Sequence, residues 1–193
     1  MTLADLQGLL RLTLVNPRAA AAALKALNLP LATGWTAILL MSVVSAGLGF
    51  VGFSMAPIEM DPAMARLFGS PLNTALIQLG ALALTGVLAF WVGQRFGGTG
   101  TLAQALVLVA WVQLPPILLQ LAQIIAMQLV PALAPLIGLA GFALYAVLLS
   151  LFIAELHGFR SGVLVFFAML GVSFVVAIAA AFLYAALIGV PHV

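Results

Sequence analysis

The chain has 193 residues, of which 66% are hydrophobic and only 5% charged, with a formal net charge of +2. A water-soluble domain carries about a quarter of its residues as charges, so this composition excludes a globular protein faced with solvent. The absence of cysteine excludes disulfides, thiolate metal sites and cysteine nucleophiles.

Taken in chain order, the first 34 residues are too polar to span a membrane. Thr2 and Asp5 have the spacing of a capping pair, which predicts a helix over Leu3 to Val15. Asn16 followed by Pro17 then starts a second, alanine-rich helix ending near Asn28. Arg18 and Lys25, seven apart, fall on nearly one face of it. These pieces are expected to lie on the membrane surface, attracted to anionic lipid, or to pack on the end of a helical bundle.

Residues 35–193 form the predicted transmembrane domain. Crossing hydrocarbon takes roughly 20 helical residues. Five apolar runs meet that length: Trp35 to Met55, Asn73 to Gln94, Leu102 to Leu129, Leu136 to Ala154 and Val163 to Ile188. They lack the alternation of a membrane barrel, and a helix satisfies its own backbone in lipid. The expected fold is therefore all-α: a polytopic protein with five transmembrane helices. The first run begins too late and is too long for a cleavable signal core.

Of the six basic residues, Arg11, Arg18, Lys25, Arg95 and Arg160 flank one side and Arg66 the other. The positive-inside rule then predicts a cytoplasmic N-terminus and a periplasmic C-terminus in a cell inner membrane. The outer loop sets Met55, Met60 and Met64 near Glu59 and Asp61. Thioethers can ligate reduced copper, but a capped turn from Asp61-Pro62 to Gly69 accounts for the pattern more simply.

After the second span, GTGTLA from Gly98 to Ala103 matches a dinucleotide-binding fingerprint. That motif needs a preceding strand and a later acid, and here a membrane helix precedes it. Glycines that stop one helix, with Thr99 or Thr101 capping the next, explain it better. The third span carries Pro115-Pro116, which predicts a sharp kink, and Gln113 and Gln120 stand seven apart around it. Transporters use broken helices with polar side chains, and packed bundles use bridging glutamines; no ionisable group accompanies these, which favours packing.

FIAELHGFRSG, from Phe152 to Gly162, crowds Glu155, His157 and Arg160 between the fourth and fifth spans. Gly158 is expected to end one helix and Ser161 to cap the next, with Glu155 paired to Arg160. Glu155 and His157 are two apart and diverge on a helix, which argues against a two-ligand metal site or an active site. His157 is left as a candidate contact for a partner or a lipid headgroup. In the fifth span Ser173, Ala177, Ala181, Ala185 and Gly189 form a ridge of small residues suited to close helix contact. Ser45 and Gly49 make a shorter one in the first span.

Three segments, NPRAAAAALKAL, GGTGTLAQALVLVAWVQLPPILLQ and FIAELHGFRSG, resemble the Yip family of multi-pass membrane proteins, in particular its short bacterial members. The resemblance implies five membrane helices, an inward N-terminus, and no catalytic residue or cofactor. Eukaryotic members bind small GTPases in vesicle traffic. The long polar N-terminal region of those members is not seen here, so that role is not expected. The expected function is a non-enzymatic scaffold or partner-binding module. Its partners would be the bilayer, including anionic lipids, and a second copy or other membrane proteins, but not nucleic acid. Transport of a small solute or lipid through the kinked third helix is the alternative.

Overall fold

A computed structural model describes residues 2–55 and 68–188. Among them there is no strand. The helices are α1 (Leu3–Val15), α2 (Pro17–Ala26), α3 (Leu31–Met55), α4 (Pro71–Arg95), α5 (Leu102–Val112), α6 (Leu114–Leu129), α7 (Ala134–His157) and α8 (Gly162–Ile188). A short 3₁₀ turn at Pro131–Leu133 leads into α7. Five stretches are long and apolar enough to cross a membrane, α5 and α6 together making the third. Most of the methionine loop, residues 56–67, lies outside the described residues.

Local chemistry sets the boundaries. Thr2 and Asp5 form the reciprocal capping box, Asp5 Oδ2 accepting from the Thr2 N–H at 2.6 Å. That hydrogen bond holds the Asp5 carboxyl below its ordinary value of 3.8. Asn16 Oδ1 caps α2, and Thr101 with Gln104 forms a second capping box at the start of α5. The two helices that end at the joints bearing Arg95 and Arg160 do so in the same way. Gly97 (φ 81°) closes α4, with Gly98 N–H reaching back to Gly93 O at 2.9 Å. Gly158 (φ 74°) closes α7, with Phe159 N–H on Ala154 O at 2.8 Å. These are Schellman turns, whose left-handed residue strongly favours glycine.

The third span breaks where the prolines predict. Pro115 and Pro116 have no N–H for the carbonyls four residues back, and Gln113 N–H tightens onto Ala110 O at 3.2 Å. The half before the break, α5, is the centre of the bundle: Ala105 to Ala110 are all buried. It contacts α2, α3, α4 and α7. Leu106 fills the clefts above Gly34 and Gly86, where an added Cβ would come within 2.8 and 2.6 Å of it. The last helix, α8, packs mainly on α7, and only 6% of its most apolar window is buried.

Of the two expectations for the N-terminal helices, packing on the bundle describes α2. Ala20, Ala21 and Leu24 are buried against α5 and α7. Arg18 Nη2 donates to Arg160 O at 2.8 Å, and Lys25 Nζ donates to Leu156 O at 3.0 Å. The shared face of these cations therefore serves the carbonyl end of α7, where positive charge is favoured. Trp111 Nε1 donates to Thr13 Oγ1 at 2.8 Å and ties α1 to the same end. Leu3, Leu14 and Val15 stay exposed on the outer side of α1.

Candidate functional site

At this end of the bundle His157 organises the polar contacts. The residue is only 3% exposed. Nε2 lies 2.9 Å from Ala89 O, and Nδ1 accepts from Gly100 N–H at 3.3 Å. A carbonyl can only accept and an amide N–H can only donate, so the ring is the neutral tautomer with its hydrogen on Nε2. Glycines surround it. A Cβ on Gly93 or Gly98 would overlap the imidazole, and one on Gly100 would come within 2.5 Å of Leu156 Cγ. Phe159 stacks on the ring with centroids 5.5 Å apart.

The glycine fingerprint and the histidine therefore account for each other. Gly98 and Gly100 leave room for an imidazole from the opposite joint. The segment is preceded by α4, not a strand. Both ring nitrogens of His157, left as a candidate contact for a partner or a headgroup, are engaged by backbone. The pairing of Glu155 with Arg160 is also corrected. Among the described residues no carboxylate lies within 4.0 Å of a lysine or arginine nitrogen. Glu155 is half-buried and Arg160 exposed, and it is the Arg160 carbonyl that is engaged, by Arg18. Arg95 lies over the Trp91 ring, 4.7 Å from its centroid. No group of three or more histidine or acidic side chains stands together among the described residues.

The glutamines converge farther into the bundle. Gln113, Gln120 and Gln123 border a cavity of about 430 Å³ between α4, α6 and α7, with Gln78 and Tyr145 opposite and Pro116 in its wall. Pro115 is buried beside it. Gln120 Nε2 donates to Ser45 O at 3.4 Å and Oε1 accepts from the Ser45 hydroxyl at 3.5 Å. The small residues of the first span thus face inward: a Cβ on Gly49 would touch Gln120, and one on Gly52 would touch Ile124. The ridge of the last span does the opposite. Ser173, Ala177 and Ala181 are exposed and Ala185 half-buried, so it is not a contact within the bundle. Gly189 lies outside the described residues.

A larger crevice of about 760 Å³ runs between α4, α7 and α8. Leu88, Val92, Leu149, Ile153 and Val165 are among its walls, and Arg160 and Ser161 line it at the joint between α7 and α8. Chain order alone offered no signal for it, because its walls come from three separated helices.

The Yip1 domain family model matches residues 11–189, nearly the whole chain. The chain belongs to the Yip1 domain family. No curated protein and no solved structure gives a significant match. The match covers every described membrane-spanning helix, the glycine-cradled histidine and the proline break, so these are features of a Yip1 domain as this chain builds it.

Proposed function

We propose that this Yip1 domain protein is a non-enzymatic scaffold of the cell inner membrane that binds a partner helix along α8. The observation that carries the reading is the exposed ridge of Ser173, Ala177 and Ala181 on a helix that packs mainly on one neighbour. In lipid, association depends on close backbone approach, which small side chains allow. The partner is a transmembrane helix of a second copy or of another membrane protein. The five basic residues at one end orient that end to the cytoplasm.

Crosslinking of the purified protein tests this. Ala177→Leu and Ala181→Leu are expected to abolish the crosslinked assembly, while Gln113→Leu and Gln120→Leu leave it intact. Unchanged assembly in the alanine variants refutes the ridge. A cysteine at Thr99, in a chain with no other, is expected to be labelled from the cytoplasmic side; labelling only from the periplasm refutes the orientation.

The glutamine-lined cavity favours a second reading, passage of a small polar solute beside the break between α5 and α6. Under it, the two glutamine variants fold normally and lose solute flux in reconstituted vesicles.

A further inference from the structure

We infer that the crevice between α4, α7 and α8 holds one anionic phospholipid, its phosphate at Arg160 and an acyl chain along the apolar walls. This goes beyond the scaffold reading and does not depend on it. Size comes first. About 760 Å³ lies within the roughly 300–1,000 Å³ of specific ligand sites. On α8 the walls run from Leu164 to Ser173, which is about 14 Å of helix at 1.5 Å per residue. That is about half of a 30 Å hydrocarbon core, the depth of one leaflet. The crevice opens on the lipid-facing side of the bundle, because α8 leans on α7 and leaves its other flank toward α4 uncovered.

Chemistry selects the occupant. The walls are mostly leucine, valine, isoleucine, phenylalanine and alanine, with Met169, which suit a hydrocarbon chain; hydroxyl groups enter only at Ser161 by the joint and at Thr85, Tyr145 and Ser173 toward the other end. The joint end is cationic. Arg160 is exposed and has no carboxylate partner, and the Arg18 guanidinium sits on the Arg160 carbonyl 2.8 Å away. Lys25 is held one turn back, on Leu156 O. The first turn of α8 opens at the same place and also favours negative charge. One half-buried acid, Glu155, stands on the neighbouring helix end and offsets part of this field. Arg160 in the lining of an acyl-sized crevice, with the Arg18 guanidinium on its carbonyl, complements a phosphate monoanion better than a zwitterionic headgroup.

The test uses the full chain in mild detergent, with phosphatidylglycerol or phosphatidylcholine of identical acyl chains added and bound lipid counted by native mass spectrometry. One phosphatidylglycerol per chain is expected to survive, retained at least about fivefold better than phosphatidylcholine, the factor usual for one basic residue at an anionic surface. Arg160→Gln should remove that preference and leave the chain folded. Ala168→Phe fills the crevice and should weaken both lipids about tenfold by displacing about two buried methylenes. Val175→Phe, exposed on the same helix away from the crevice, should change neither. Equal retention of the two lipids by the unmodified chain overturns the proposal. So does an equal effect of Ala168→Phe and Val175→Phe, which would mean bulk annular lipid, or a protein dimer in place of the bound lipid.

Discussion

Gly93→Ala puts the glycine-cradled histidine to a direct test. Gly93 lies on α4 facing His157, and the new methyl would overlap Nε2 of the imidazole. The ring cannot move aside freely. Gly98 presses on the opposite side, where an added Cβ would come within 2.6 Å of His157 Cβ, and Ala89 O and Gly100 N–H hold both nitrogens. Inserting a methyl into a packed interior costs about 1–3 kcal/mol. If the ring is pushed off Ala89 O, a buried carbonyl and a buried N–H lose each other, which adds about 1–3 kcal/mol. A total loss of about 2–6 kcal/mol follows, large against the usual stability of a domain. Gly80→Ala is the control: it lies on the same helix, and an added Cβ meets nothing within 4 Å. It should be neutral or stabilising by up to about 1 kcal/mol from helix propensity. Reversible unfolding in detergent, followed by circular dichroism, compares the two. His157→Ala should relieve part of the Gly93→Ala defect, giving a non-additive pair. Equal stability of Gly93→Ala and Gly80→Ala would show that His157 is not held as described.

Thr101→Ala removes the hydroxyl that caps α5 and leaves the Gln104 N–H without its partner; a loss of about 1 kcal/mol is expected in the same assay. Thr13→Val keeps the shape of the side chain but removes the acceptor for Trp111 Nε1, so α1 should become sensitive to proteolysis while the bundle keeps its helicity. Asp5 gives a pH dependence confined to α1. Its folded carboxyl lies below 3.8, so its capping contribution is complete above that value and is lost as pH falls through the lower, folded one. The Thr2 amide resonance should shift only in that acid range, and Asp5→Asn should remove the shift.

Local features were legible in the sequence because their causes are local. The caps at Thr2, Asn16 and Thr101 need partners only three residues away. The prolines act on carbonyls within one turn, and the glycines at 97 and 158 act on their own dihedral angles. The errors came where a partner lies far along the chain. Arg160 stands five residues from Glu155, which made an ion pair attractive, but its carbonyl is claimed by an arginine 142 residues away. Nothing near His157 indicates that its ring enters a loop 57 residues earlier. A ridge of small residues is visible as spacing, but spacing does not say which side it faces: Ser45 and Gly49 point at Gln120, whereas Ala177 and Ala181 point outward.

The distribution of long-range polar contacts also explains how a chain with 5% charge keeps a defined shape. Thr13–Trp111, Arg18–Arg160, Lys25–Leu156 and the two bonds of His157 all lie at the basic end, and the Gln120–Ser45 pair lies farther along the bundle. Apolar helices in lipid have little hydrophobic reason to choose one neighbour over another, so close packing, as of Leu106 on Gly34 and Gly86, and directional bonds fix their arrangement. Here they clamp α1, α2, α4, α5 and α7 together at the basic end. Beyond α7 the joint into α8 is held mainly through the backbone of one turn, and α8 keeps a single principal neighbour. The same economy that clamps the basic end leaves α8 with one principal neighbour, and the proposed lipid and partner-helix contacts both draw on that exposure, meeting at Ser173.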